Sequence, residues 1–243
     1  MKRLIITITI CFVVLISNSQ EYFQQKVDTY IDVELDDENH ILRGFEKMVY
    51  YNNSSLNLNK IFIHLWPNAY KNSNTNLAKQ KYSDGSTSFK YAESIDLGYI
   101  DSLDFKVNGE IVKWQFLNEQ IDISELLLTK PLKPGDSIII TTPFRVKIPS
   151  GKFSRLGHIG QSYQITQWFA KPAVFDKNGW HPMSYLDQGE FFSEFGNYDV
   201  SITVPKNYVL MATGDLQNKE ELEFLNEKAE LTSQLIKENK LAV

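Results

Sequence analysis

The chain reads as a mostly β protein, an antiparallel β-sandwich or saddle-like domain with a C-terminal helix. Three observations predict this. Apolar residues recur at every second position in several runs bounded by turn-forming residues. No internal repeat at solenoid periods is present. The tail changes character, with Leu222, Leu225, Ala229 and Leu235 near helical spacing.

Residues 1–19 have the form of a secretory signal. Lys2 and Arg3 are its positive start, residues 4–16 are apolar but short for a membrane span, and Ser17-Asn18-Ser19 supplies small residues for cleavage before Gln20. The alternative is a retained membrane anchor. Cys11, the single cysteine, lies inside the apolar run without the small residue a bacterial lipobox would place before it. An exported form cleaved there has no cysteine, so its stability must come from burial rather than disulfides.

Ile31, Val33 and Leu35 alternate with Asp32, Glu34 and Asp36, Asp37-Glu38-Asn39 turns the chain, and residues 41–51 return as an antiparallel partner. Ile61, Ile63 and Leu65 form another face, which Pro67 ends because it cannot donate to the ladder. Residues 71–91 are polar, contain an Asp84-Gly85 turn and read as a long surface loop. Leu103, Phe105 and Val107 lead into Asn108-Gly109 and out through Ile111, which predicts a hairpin with a type I′ turn. Pro134-Gly135-Asp136 then turns the chain into residues 137–142, and Phe144, Val146 and Ile148 continue the alternation.

The stretch 161–204 concentrates aromatic rings and threads Asp176, Asp187, Glu190, Glu194 and Asp199 between them. Residues 163–169 suit a strand, Asp176-Lys177-Asn178-Gly179 is a turn, and Tyr198, Val200, Ile202 and Val204 alternate as a half-buried strand. Asn218 with Glu221 three residues on resembles a capping box that opens a helix over 219–240.

Few catalytic arrangements survive inspection. The net charge is −5 with no basic stripe, which argues against nucleic acid. The four histidines, His40, His64, His158 and His181, include no pair at i,i+4 spacing for zinc. His64 reads as packed or hydrogen-bonded, and His181 as a turn residue bonded locally, although Asp187 and Glu190 downstream would suit a divalent ion. The clustered acids invite a glycosidase reading, yet acids on strand edges are common. No GxSxG elbow is present. The residues themselves thus leave no metal site and no catalytic residue in this chain.

The segment TQWFAKPAVFDKNGWHP, then YLDQGEFFSEFGNYDVSITVPKNYVLMATGDL, with YFQQKVDTYIDVELDDENHILRG and IFIHLWPNAY earlier, resembles the N-terminal β-domain of M1-type zinc aminopeptidases in their secreted bacterial branch. The family's HExxH helix and GxMEN segment do not occur in these residues. The resemblance therefore implies a division into a signal peptide (1–19), an N-terminal β-domain (20–217) and a helical tail (218–243) leading toward a catalytic domain that this chain lacks. Zinc is expected only in that domain, and peptide substrate only in the full-length context.

In the family, a Gln or Glu of a TQ-x-E or TQ-x-Q pattern helps hold the substrate's α-ammonium group. Thr166-Gln167-Trp168-Phe169 meets it with Phe169 in place of the acid or amide, which leaves Gln167 as the implied substrate-binding residue. A competing reading makes the chain a free-standing exported module that grips a peptide or carbohydrate with its aromatic block.

The signal reading is checked by mass spectrometry of the exported protein, which should begin near Gln20 and be secreted or periplasmic. An intact Met1 terminus recovered in membrane would contradict it.

Overall fold

The computed structural model describes residues 22–189 and 191–240, so the signal reading, Cys11 and Glu190 lie outside it. The chain forms two compact units, Met1–Pro205 and Lys206–Val243.

In the first unit, β1 (Lys26–Asp36), β2 (Ile41–Tyr51) and β3 (Leu58–His64) are followed by a 3₁₀ turn (Trp66–Tyr70) and a helix, α1 (Asn76–Ser83). Short strands β4 (Tyr99–Asp101), β5 (Lys106–Val107), β6 (Glu110–Ile111) and β7 (Lys113–Leu117) precede the long β8 (Gln120–Leu132) and β9 (Ser137–Lys147). Then come β10 (Gly157–Ile159), β11 (Ser162–Gln164), β12 (Lys171–Pro172), β13 (Val174–Asp176), β14 (Gly179–His181) and β15 (Tyr198–Thr203). One sheet runs β15-β1-β2-β9-β5-β6 with β4 also on β9, and a second runs β12-β3-β8-β7. Pairing is antiparallel in both except for β15, which lies parallel to β1. The mostly β expectation holds.

Period-two alternation places one face of the large sheet inside. Leu42, Glu46, Met48 and Tyr50 of β2 sit opposite Val146, Thr142, Ile140 and Ile138 of β9, and all eight are buried. Gly44 on the same face makes room for Phe144, its partner, because a Cβ there would lie 2.5 Å from the Phe144 ring. Ring contacts tie this interior to β7 of the second sheet and to the separate β13–β14 hairpin, Phe105 to Trp114 at 5.6 Å and Tyr50 to Trp180 at 6.3 Å. The β1–β2 pair, the 134–136 turn and the Asn108-Gly109 hairpin form as predicted, the last with φ of 52° and 85° at its two central residues.

Three expectations are corrected. Residues 71–91 are not a plain surface loop. They contain α1, whose N-cap Thr75 accepts a hydrogen bond from the Ala78 N–H at 3.3 Å, and they bury Leu77, Ala78 and Phe89. These side chains join Trp66, Tyr70, Phe153 and Tyr185 in one core cluster, with Phe89 stacked on Phe153 at 4.3 Å. A helix this short, with two buried residues, shows no readable period. Residues 163–169 are not a strand either, since β11 stops at Gln164 and Gln167 takes a left-handed φ of 54°. β15 is exposed rather than half-buried, keeping only Ile202 partly covered, because it is the outermost strand and β1 alone flanks it.

The hairpin of β7 and β8 has no counterpart in the sequence reading, because Leu126-Leu127-Leu128 breaks alternation. In the second unit, α2 (Lys219–Lys237) forms as expected, with Asn218 Oδ1 accepting from the Glu221 N–H at 3.2 Å. Glu220 and Glu221 in its first turn and Lys237 in its last complement the helix dipole. Among the described residues no helix is long and apolar enough to cross a membrane.

The junction of β15 with β1 generates a test. The Val27 N–H donates to Phe195 O at 2.9 Å and the Thr29 N–H to Asn197 O at 2.8 Å, so the backbones meet at Gly196. A Cβ on Gly196 would lie 1.7 Å from Val27 O, a backbone atom with nowhere to go. Gly196→Ala should lower stability by at least about 2 kcal/mol in urea titration. An unchanged midpoint would refute this close approach.

Candidate functional site

The loop at 165–170 carries Gln167 between two anchors. Thr166 Oγ1 donates to Arg155 O at 3.0 Å, and the buried Ala170 leads into β12, where Lys171 pairs with His64 of β3. A left-handed φ at a non-glycine residue such as Gln167 persists only where its surroundings impose it, and such residues concentrate at functional sites. Here the fold bends the loop back so that Lys171 Nζ donates to Gln167 Oε1.

Lys171 is buried, and its ammonium lies 4.1 Å from the Trp66 ring centroid and 5.6 Å from that of Phe169. Burial pulls its pKa down to about 8, against the attraction of Glu46. Glu46 is fully buried on the inward face of β2, and neither carboxyl oxygen has a hydrogen-bond partner among the described residues. Burial raises its pKa well above the ordinary carboxylate value, and the nearby Lys171 charge opposes the rise. A buried acid without partners is costly and calls for an explanation.

Trp66 is the floor of this site. Its indole N–H donates to Met183 O at 2.9 Å, and the His64 ring stacks on it at 4.5 Å. His64 Nε2 accepts from the Met183 N–H at 3.1 Å, which puts the ring proton of the neutral form on Nδ1. Burial, reinforced by Lys171, pushes the His64 pKa down to about 3, so the ring is neutral at physiological pH. The packed and hydrogen-bonded reading of His64 is correct.

At the outer side, the Tyr198 and Phe169 rings lie 6.2 Å apart, and Tyr198 is half exposed. Lys171, Tyr198, Ser193 and Glu194 line a crevice of about 10 Å³ there, room for about one water. The Glu194 carboxylate accepts from the Phe175 N–H at 2.8 Å, and burial pushes its pKa up to about 7.

The other sequence candidates go elsewhere. His181 Nε2 is 2.8 Å from Asp176 Oδ1 in the β13–β14 hairpin, a local bond as expected. Asp187 accepts from Ser154 and Lys81, each at 2.6 Å. Asp199 is exposed on β15. Among the described residues no three His, Cys, Asp or Glu side chains are grouped to hold a metal ion.

Most aromatic rings of 161–204 pack against other rings: Trp168 on Phe144 at 5.9 Å, Phe175 on Trp180 at 4.9 Å and Tyr185 on Phe191 at 5.0 Å. Phe175 and Trp180 also line an open depression of about 290 Å³ with Leu56, Leu58, Lys60 and Leu127.

Of the sequence candidates, Gln167 is thus the one that the fold brings to a buried ammonium group. Glu46, Lys171 and Trp66 were missed. Glu46 carries a readable signal, an acid on the apolar face of an alternating strand; Lys171 carries none.

No protein-family model matches the sequence, and no curated protein does either. Among solved structures, the M1 zinc metallopeptidase from Deinococcus radiodurans is similar at 14% identity over 76% of this chain and 32% of that chain, with a TM-score of 0.37. A form of it bound to a Tyr-Ser-Ala substrate is similar at 14% identity over 82% and 37%, also with a TM-score of 0.37. Native leukotriene A4 hydrolase from Saccharomyces cerevisiae is similar at 12% identity over 53% and 17%, with a TM-score of 0.30. The chain spans about a third of the length of the metallopeptidase chains it matches.

Glu194 makes stability depend on pH. Its folded pKa of about 7 lies above its ordinary value of 4.5, so its contribution is fully present below pH 4.5 and is lost as pH rises through 7. The loss amounts to about 3 kcal/mol at most. Glu194→Gln keeps an acceptor for the Phe175 N–H and should flatten the difference in urea stability between pH 5 and pH 8. An unchanged pH slope would show that Glu194 titrates normally.

Proposed function

We propose that this chain is the N-terminal, non-catalytic β-domain of an M1-like zinc metallopeptidase, exported through a cleaved signal and shaping one wall of a peptide-binding cleft. One observation carries the reading. Gln167, in the Thr166-Gln167 motif that bears the family resemblance, presents its amide oxygen to an ammonium group, the chemistry needed to hold a peptide's free amino end.

On this reading the domain positions the substrate and does not hydrolyse it. Peptide hydrolysis of this class needs a zinc-polarised water and a glutamate base. Both would come from a catalytic domain outside residues 1–243, bearing the HExxH helix, and zinc belongs there. The domain's contribution would be orientation, since fixing the amine sets the distance from peptide terminus to scissile bond.

The depression lined by Phe175 and Trp180 favours a second reading, a free-standing module that takes an apolar side chain or a sugar face.

The test starts from the coding region downstream of the Val243 codon, where the proposal expects HExxH. The natural translation product should cleave aminoacyl reporters. Gln167→Ala should lower kcat/KM about tenfold, about 1.4 kcal/mol, chiefly through KM. An unrelated downstream sequence together with an inactive product would refute the proposal in favour of the module.

A further inference from the structure

The cluster around Gln167 contains every part of a receptor for a primary ammonium group, and a side chain of the same chain already fills it. Gln167 supplies a carbonyl oxygen, Trp66 and Phe169 supply ring faces, and Glu46 supplies a buried acid with both oxygens unpartnered. The Lys171 ammonium bonds only the amide among these polar groups, and Glu46 acts on it through its field without a hydrogen bond.

We propose that Trp66, Phe169, Gln167 and Glu46 form an ammonium receptor that Lys171 occupies in cis, so that the amino terminus of a peptide binds by displacing Lys171 from Gln167. The inference rests on the ammonium-holding role proposed for Gln167, and it adds the competitor and the rest of the receptor.

Three features support it. Cations are attracted to ring faces, more so when desolvated, and here the floor of the site is a Trp only 1% exposed. Glu46 would otherwise be a buried acid without a function in packing, since a Leu or Met would suit its place between Leu42 and Met48 better. With both oxygens unpartnered, it can accept one hydrogen bond from the incoming ammonium and one from the displaced Lys171. Finally, Lys171 lines the crevice beside the half-exposed Tyr198, and that crevice has room for about one water, so a peptide terminus can enter only as Lys171 leaves its place.

A receptor blocked in cis binds an outside ligand more weakly by the fraction of time it stands open. Lys171→Met keeps the apolar stem and removes the competitor. The probe is L-alaninamide, with N-acetyl-L-alaninamide and n-butylammonium as controls, titrated calorimetrically into the 243-residue chain.

The expected result is that Lys171→Met binds L-alaninamide about tenfold tighter than the parent chain. It should ignore the acetylated control and bind n-butylammonium more weakly than L-alaninamide. Adding Glu46→Gln to that variant should weaken binding again. In the parent chain, the Lys171 ammonium resonance should shift as L-alaninamide saturates, a readout that holds even where Lys171→Met does not fold.

Equal or weaker binding by a folded Lys171→Met would overturn the proposal, as would an unmoved Lys171 resonance under saturation. Tighter binding of n-butylammonium would overturn the assignment to peptide termini. Absence of any L-alaninamide binding would remove the receptor, while hydrolysis by the natural translation product would leave the metallopeptidase reading standing.

Discussion

The packing around Trp66 holds the site together. Pro67 ends the β3 ladder and starts a 3₁₀ turn, which leaves Trp66 at the strand's exit, 1% exposed. Its ring meets His64 at 4.5 Å, Phe191 edge-on at 4.9 Å and the Lys171 ammonium at 4.1 Å, while its N–H is satisfied by Met183 O. One side chain thus ties β3, β12 and the segments at 183 and 191. Rings of this size remove roughly 150–250 Å² each from water, which offsets the cost of the charged groups beside them.

That cost is considerable. Lys171 and Glu46 are both buried, and their pKa values move toward the uncharged forms, downward for the lysine and upward for the acid. Desolvation therefore outweighs their mutual attraction, the usual outcome when a buried pair lacks ideal geometry. A fold selected for stability alone would place apolar residues at both positions. Retaining polar groups in a β interior fits a site that must hold a charge, and the left-handed Gln167 backbone beside them belongs to the same constraint.

Local chemistry made much of the fold legible. Alternation from Ile31 to Leu35, the return through 41–51, the Asn108-Gly109 turn and the Asn218 cap are each written in neighbouring residues, and each forms. The failures share a cause. α1 exists because Leu77 and Ala78 find Trp66 and Phe153 across the chain, and β15 is exposed because of its place in the strand order. Neither fact is contained in a window of ten residues.

The sequence by itself determined the β class, the main hairpins, the terminal helix and the resemblance that singled out Gln167. Only the tertiary structure decided what Gln167 faces. Glu46 and Lys171 are 125 positions apart in the chain, and the fold brings them near enough for their charges to act on each other, which no local periodicity encodes. Strand alternation specifies which side of a sheet a residue takes; which group waits on the opposite sheet depends on sheet order and register, and these are set by long-range pairing.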